Sequence, residues 1–399
     1  MLTFPRNCFS FLIFPFLLVS ASAKEETRNP FQVERLPERA WGSLEYYTLY
    51  LEPSDSFVSG MSDFKFWSSG TLWIFPTRDK EELFLIFQNA GLPEEWITRL
   101  LVAAKPVPQR PLIEIRPDAD IVEGLSPQQR NRLYPHIHTE SKETVFSDPY
   151  ALMPGGIAEA ALFPSGLRPE LIGLLERLSF PRGRTMRFSD IYHVLGHTHS
   201  EEERLRVMKL LLREKAISAQ LQIHPNSDTL KIAQYWSSGE RNKRILPLLE
   251  SVAATSGVEK IDIAHLLPSL PRRLLNTYPS PEGWRTRDLA PDCFWTSFSF
   301  FSESPSARLL ENVAQTFEER YERASPPLQL GDLILIRRED DSSWLHACNY
   351  IAGGLAFTKN GSSPGRPWAI QRLEDITFRY LEEGKVGISF FRLKPEYLQ

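Results

Sequence analysis

The stretch LGDLILIRREDDSSWLHACNYIAGGLAFTKNG, residues 330–361, decides the fold class of the C-terminal region. It contains three runs rich in strand-forming residues, and turn residues separate them. The run Leu333-Ile334-Leu335-Ile336 is apolar on both faces, as expected of a central strand. A further run of the same kind lies near the end of the chain. We therefore predict an antiparallel sheet that comprises Asp332–Arg337, Leu345–Ile351, Leu355–Asn360 and Val386–Leu393.

The glycine turn in this stretch determines which residue faces His346. If the turn is Ala352-Gly353-Gly354, His346 lies opposite Asn360, and Thr358 is a diagonal neighbour on the same face. If the turn contains only the two glycines, the register shifts by one residue and Lys359 lies near His346 instead. A lysine beside an imidazole opposes its protonation. We therefore favour the three-residue turn, with Asn360 as the partner of His346 and Thr358 as the alternative.

Cys293 is predicted to begin a helix before this sheet. Asp292 is a favourable N-cap, and phenylalanines recur at helical spacing over 294–301. A second helix is predicted from about Ser306 to Arg323. The positive end of a helix dipole stabilises a thiolate, the reactive form of cysteine. His346 supplies a base that takes the thiol proton and later returns it to a leaving amine.

Three segments resemble motifs of the NlpC-like papain-fold cysteine hydrolases. The first two are Asp292-Cys293-Phe294-Trp295, which resembles the nucleophile motif, and Leu330-Gly331-Asp332-Leu333-Ile334, which resembles the turn into the first strand. His346-Ala347-Cys348-Asn349-Tyr350-Ile351 with Gly353-Gly354 resembles the histidine strand and its turn. Phe294 stands where the family usually has a small residue. Phe357-Thr358-Lys359-Asn360-Gly361 is not the usual form of the strand that carries the third residue.

The resemblance covers 281–399 and implies a papain-like domain with Cys293 as nucleophile and His346 as base. It implies a polar third member on the next strand, which is Asn360 or, alternatively, Thr358. It also implies a cysteine peptidase or amidase that cleaves amide bonds through a thioester, often in cell-wall peptides. Such chemistry requires no metal or organic cofactor.

Other interpretations of the same residues stay open. Cys293 alone is compatible with an inert buried thiol, and His346 alone with a hydrogen-bonded histidine at a strand edge. Cys348 shares a strand face with His346, and a disulfide between Cys293 and Cys348 would block the nucleophile. The domain would then be a redox-gated enzyme or a non-catalytic relic. A separate alternative is a non-catalytic binding protein that holds a peptide or glycan in a papain-like cleft. In a third interpretation this domain is idle and residues 24–280 carry the function.

The N-terminus and the composition predict an exported protein. Residues 1–23 contain Arg6, an apolar run from Phe9 to Val19 and Ala21-Ser22-Ala23, which are the three parts of a secretory signal peptide. No other stretch is long and apolar enough to span a membrane. The chain has 46 basic and 50 acidic residues, so a nucleic-acid partner is not expected. We expect a periplasmic or extracellular protein with a peptide or peptidoglycan-like substrate, and we leave its oligomeric state open.

The pattern along the chain predicts an α+β protein with several domains. Ser200 and Glu203 form a predicted capping box, and Ile217 to Ile223 alternate as a half-buried strand. The predicted segments are a signal peptide (1–23), a small α+β domain (24–150), a mostly helical middle region (151–280) and the papain-like domain (281–399).

Three histidines of the middle region, His193, His197 and His199, have the spacing H-x₃-H-x-H. Two histidines four residues apart on a helix can share a metal ion. Gly196 is expected to end that helix, and no acidic or cysteine ligand is fixed nearby by the sequence pattern. We therefore predict histidines that are solvated or near a helix cap, and no metal site.

Overall fold

A six-stranded antiparallel sheet forms the C-terminal region of the computed structural model, which describes residues 32–65, 70–138, 145–146, 149–238, 245–279, 291–306, 309, 311–381 and 384–397. Four of its strands are those predicted from the sequence. The central strand is buried over its first four residues, because its apolar side chains alternate between two covered faces. From edge to edge the strands are Tyr321–Arg323, Val386–Leu393, Leu333–Arg338, Trp344–Ala352, Leu355–Lys359 and Trp368–Arg372.

A helix covers each face of this sheet. The cysteine helix, Cys293–Phe298, packs Phe298 against Leu333, Leu335 and Ala347, and we call this side the cysteine face. The tyrosine helix, Leu373–Tyr380, covers the opposite side. There Ile376 contacts a cluster that comprises Ile334, Ile336, Cys348, Tyr350 and Ala356. We call this side the tyrosine face.

A four-stranded antiparallel sheet joins the two predicted regions that precede residue 281. Gly42–Leu51 pairs along its whole length with Glu214–Gln222, so that Tyr46 lies opposite Ala219. The predicted alternating strand of the middle region is confirmed by Glu214–Gln222. The order of the strands is Glu34–Arg39, Gly42–Leu51, Glu214–Gln222 and Lys260–Asp262.

Short sheets and helices make up most of the remaining described structure before residue 281. Two three-stranded sheets have the orders Trp73–Phe75, Ile113–Ile115, Lys105–Pro106 and Tyr150–Ala151, Thr185–Phe188, Phe180–Arg182. The α-helices are Asp55–Gly60, Ser62–Lys65, Lys80–Ala90, Glu94–Ala103, Ala119–Gly124, Pro127–Leu133, Gly156–Leu162, Pro169–Leu178, Ile191–Gly196, Glu201–Leu212, Thr229–Trp236, Ile245–Ala254 and Ser269–Leu274. Val313–Arg320 lies in the C-terminal region, and short 3₁₀ helices are Tyr134–His136, Ile263–Leu266 and Pro395–Tyr397.

The hydrophobic cores connect these parts. One core draws residues from Phe57 to Leu212, on both sides of residue 150. A second core combines Leu44 and Leu221 of the four-stranded sheet with Phe357 and Ile370 of the six-stranded sheet. The chain is thus a mixed α+β protein with antiparallel sheets, and its two largest sheets share a core.

The predicted signal peptide, 1–23, lies outside the described residues. Among the helices that the structure describes, none has the length and apolar character needed to cross a membrane.

Candidate active site

The cysteine helix holds Cys293 at its first turn on the cysteine face. The Asp292 carboxylate caps the helix by accepting from the backbone N–H of Trp295 at 2.8 Å. Farther along, Trp368 Nε1 donates to Thr296 Oγ1 at 2.9 Å, which fixes the helix to an edge strand. Cys293 is only 5% exposed. The predicted cap and helix start are therefore observed, but the thiol is buried.

The surroundings of Cys293 keep its thiol protonated. Burial, and then the negative charge of Asp292, raise the pKa of Cys293 to about 12. A hydrogen bond from the backbone of Ala347 and the positive charge of Lys359 lower this pKa, but they do not offset the burial. Ala347 directly follows His346, so the sulfur lies beside the backbone of the histidine strand, Trp344–Ala352.

His346 is fully buried and points toward the tyrosine face. The Tyr380 hydroxyl lies 2.8 Å from its Nδ1, and Thr358 Oγ1 lies 2.8 Å from its Nε2. The Tyr380 ring stacks on the imidazole, with centroids 4.7 Å apart. Both ring nitrogens therefore have partners, and neither partner is the Cys293 thiol.

The strand register brings Thr358 rather than Asn360 to the imidazole. Asn349 pairs with Phe357, which is the register that places His346 opposite Asn360. The preferred register is confirmed, although the turn contains only the two glycines, because the pairing shifts by one residue between Tyr350 and Ala352. The diagonal neighbour Thr358 makes the direct hydrogen bond.

Asn360 extends a chain of hydrogen bonds away from the imidazole. Thr358 Oγ1 donates to Asn360 Oδ1 at 3.4 Å, and Asn360 Nδ2 donates to Gln371 Oε1 at 2.8 Å. Gln371 Nε2 donates to the Lys215 carbonyl at 2.6 Å. The Lys215 carbonyl can only accept a hydrogen bond, so Gln371 must donate to it. Each bond between Gln371 and the imidazole then has one possible direction. His346 therefore carries its proton on Nε2, and Nδ1 accepts from Tyr380.

The imidazole is neutral in this arrangement. Burial, and then the positive charges of Arg379 and Lys359, lower the pKa of His346 to about 3. A neutral imidazole and a neutral thiol are the resting protonation states. A thiolate–imidazolium pair would require a change in the surroundings of both groups.

Lys359 lies on the cysteine face. The alternative register, shifted by one residue, would have placed it beside His346. Its ammonium group donates to the carbonyls of Gly361 and Ser363, each at 2.9 Å. Burial lowers the pKa of Lys359 to about 8, and the negative charges of ionised Cys293 and Asp292 raise it. Among the residues that the structure describes, Lys359 is thus a positive charge that lowers the pKa of the Cys293 thiol. The sequence analysis did not assign it this role.

A buried ion cluster lies at the far end of the chain of hydrogen bonds. Glu214, which begins its strand, accepts from Arg366 and from Arg379 Nη2, the latter at 2.8 Å. Gln371 Nε2 also approaches Glu214 at 3.4 Å. Sequence reasoning missed Tyr380 and these charged residues because their partners are distant in the chain.

Both described cysteines, Cys293 and Cys348, are free and buried. Cys348 lies on the tyrosine face with His346, and burial raises the pKa of its thiol. Asp332, of the Gly-Asp turn, accepts from Arg392 Nε at 2.8 Å and Nη2 at 2.7 Å. This pairing ties the Gly-Asp turn to the neighbouring strand Val386–Leu393.

Comparison of the chain with protein-family models, with curated proteins and with solved structures gives no match. What the chain does must therefore be inferred from the geometry of this site.

Proposed function

We propose that residues 281–399 form a papain-like cysteine hydrolase of the NlpC-like type. One observation carries the proposal: Ala347, whose backbone lowers the pKa of the Cys293 thiol, directly follows His346, whose Nδ1 lies 2.8 Å from the Tyr380 hydroxyl. The thiol and the imidazole thus lie beside consecutive residues of one strand, on opposite faces of the sheet. Cys293 is the nucleophile, His346 is the base through Nδ1, and Thr358 holds the tautomer through Nε2.

In the proposed reaction, Nδ1 takes the thiol proton and the thiolate attacks the carbonyl carbon of an amide. The backbone N–H of Cys293 is the candidate donor to the oxyanion. The C–N bond then breaks, the amine leaves with the proton from Nδ1, and a thioester remains on Cys293. Water gives a proton to Nδ1 and cleaves the thioester, and the proton returns to the sulfur. Asn360 acts through Thr358 as a positioning residue.

The resting site is closed in this proposal. Cys293 is 5% exposed and His346 is fully buried, so a substrate must open the site before it reaches the sulfur. The Tyr380 hydroxyl occupies Nδ1, so it must leave before that nitrogen can accept the thiol proton. Because the imidazole lies on the opposite face of the sheet from the thiol, we propose that substrate binding moves Tyr380 and brings the imidazole and the thiol together.

The proposed substrates are peptide amides, with cell-wall peptides first among them, and the proposed location is outside the cytoplasm. Both rest on the motif resemblance and on the signal-peptide pattern of residues 1–23. The same burial and the same neutral pair also favour a second candidate, a non-catalytic protein that binds a peptide or glycan.

Peptide turnover tests the two candidates. Purified protein is incubated with short peptides and peptidoglycan fragments, and mass spectrometry detects products and a thioester on Cys293. We expect cleavage that Cys293→Ala abolishes. Cys348→Ala is the matched control, because it removes the other buried free thiol, and it should retain activity. Cleavage by Cys293→Ala would refute the proposal, and uncleaved peptides bound equally by both proteins would support the binding protein.

A further inference from the structure

Glu123, His193 and His197 form a cluster of ligand atoms remote in sequence from the cysteine site. Glu123 lies in the last turn of Ala119–Gly124, and the histidines lie on or just after Ile191–Gly196. His193 Nε2 is 3.0 Å and His197 Nε2 is 3.9 Å from the same carboxylate oxygen, Glu123 Oε1. All three ligand atoms lie within 4.8 Å of one another.

These separations are close to those of a zinc site. Tetrahedral zinc with bonds of roughly 2.0–2.1 Å keeps its ligand atoms about 3.3 Å apart. The distance from His193 to Glu123 already approaches that value. The remaining separations, up to 4.8 Å, exceed it by up to about 1.5 Å, which His197 must close by moving. The His197 side chain is 49% exposed and follows the helix end, so it is free to make this movement.

The structure supplies the acidic ligand that the sequence pattern lacked. Glu123 is 70 residues from His193 in the chain, and packing of two helices brings them together. His199 is outside the cluster, and its backbone N–H donates to Glu203 at 2.7 Å. The H-x₃-H pair is therefore joined by a carboxylate and not by the third histidine.

One nearby cation shares the Glu123 carboxylate without occupying the oxygen that faces the histidines. Arg177 lies 3.8 Å from the other carboxylate oxygen, Oε2, and its side chain is 62% exposed. The oxygen that faces both imidazoles is Oε1. Two imidazoles and one carboxylate are ligands that zinc and similar divalent metals share.

We propose that Glu123, His193 and His197 bind one divalent transition-metal ion of the zinc class. Water takes the fourth tetrahedral position, because these are three protein ligands and the cluster reaches the surface. The ion ties Ala119–Gly124 to Ile191–Gly196. This site is independent of the proposed thiol chemistry.

Cobalt titration tests the proposal. The full-length protein, purified without a polyhistidine tag and treated with a chelator, is titrated with Co²⁺, whose visible absorption reports tetrahedral coordination. We expect one equivalent to bind. His197→Ala and Glu123→Gln should each weaken binding at least about tenfold, whereas His199→Ala, in the same loop, should leave it unchanged.

A second measurement guards against variants that lose structure. Zn²⁺ should raise the thermal unfolding midpoint of the wild type and of His199→Ala, but not of His197→Ala. Circular dichroism confirms that each variant is folded without metal. Absence of saturable binding in the wild type, or equal binding by folded His197→Ala, would overturn the proposal.

Discussion

The hydrogen-bond partners of His346 decide how this imidazole can act. Thr358 accepts from Nε2 and Tyr380 donates to Nδ1, so the neutral ring is held in one tautomer. A base needs its acceptor nitrogen free and its other nitrogen held. The site therefore contains one feature of a competent base, Thr358, and one that blocks it, Tyr380.

Replacing Thr358 tests the first feature. Thr358→Val keeps the shape of the side chain but removes the acceptor for the buried Nε2–H, which costs about 1–3 kcal/mol of stability. Peptide cleavage should fall at least about tenfold, because the tautomer is no longer fixed. Thr358→Ser retains the hydroxyl and should restore most activity. Equal activity of the valine and serine variants would contradict this role.

The buried imidazole also predicts a dependence of stability on pH. In the unfolded chain His346 protonates near pH 6.5, whereas in the folded chain its pKa is about 3. Between these values the unfolded state binds more protons, so stability falls as the pH falls. The loss approaches about 1.4 kcal/mol for each pH unit below 6.5.

Urea denaturation of the wild type and of His346→Gln between pH 4 and pH 7 isolates this contribution. The wild type should lose stability with acid more steeply than the variant, because other acidic groups are common to both proteins. Parallel pH profiles would show that His346 is not a buried neutral imidazole.

The elements of the C-terminal sheet show which features follow from local sequence. Apolar runs predicted four strands, and the alternative turns both predicted a sharp reversal at the glycines. The register was correct for Asn349 and Phe357. The turn itself differs, because a local shift between Tyr350 and Ala352 replaces the third turn residue. Such a shift depends on the neighbouring strands and has no signal in the turn sequence.

The helix predicted from Ser306 to Arg323 is shorter in the structure. It comprises Val313–Arg320, and Asn312 caps it by accepting from Gln315 N at 3.0 Å. Tyr321–Arg323 instead pairs with Val386–Leu393. Helical spacing of apolar residues was therefore overridden by pairing with a strand more than sixty residues away.

The predicted capping box at Ser200 is also only partly observed. Ser200 accepts from the backbone N–H of Glu203 at 3.1 Å, as predicted. The Glu203 carboxylate, however, accepts from the backbone of His199 and from Arg168. The arginine comes from another helix end, so the local motif alone did not reveal it.

The Gly-Asp turn gives a prediction at the scale of the element. Gly331 has φ +84°, and a Cβ there would lie 2.3 Å from Phe301 Cζ under the sheet. Gly331→Ala should destabilise the protein by about 2–4 kcal/mol, from backbone strain and overpacking together. Gly354→Ala is the matched control: its φ is +88°, but nothing lies within 4 Å of its Cβ.

Gly354→Ala should lower the free energy of unfolding by only about 1–2 kcal/mol. Chemical denaturation of the two variants measures the difference directly. Equal destabilisation would mean that Phe301 moves aside freely and that the close contact does not constrain the turn.

At the scale of the whole molecule, the Glu214 cluster joins the two largest sheets. Glu214 is almost completely buried between Arg366 and Arg379, 152 and 165 residues away in the chain. No local sequence pattern predicts such a cluster. The same holds for Tyr380 and Glu123, which pair with residues 34 and 70 positions away. Local sequence predicted four strands, the cysteine helix and its thiol, but not the groups that close the site.

Removing the charge of Glu214 should destabilise the whole protein. Glu214→Gln leaves two buried guanidinium groups without a counter-ion, which costs about 3–5 kcal/mol. Glu202→Gln, which breaks an exposed pair with Arg206 one helical turn away, should cost about 0.5 kcal/mol or less. Urea denaturation checks both values, and similar small losses would show that the cluster does not connect the sheets.

The most direct test of the account is the rate at which iodoacetamide alkylates Cys293, assigned by peptide mapping. The wild type should react slowly near pH 7, because the thiol is buried and its pKa is about 12. Tyr380→Phe removes the partner that holds the imidazole on the tyrosine face, so under the proposal His346 can reach the thiol, and Cys293 labelling should speed up at least about tenfold, while Cys348 in the same digest stays slow. Adding His346→Ala to Tyr380→Phe should abolish the gain. A gain that persists without His346, or that Cys348 shares equally, would contradict a thiol–imidazole pair held closed by Tyr380.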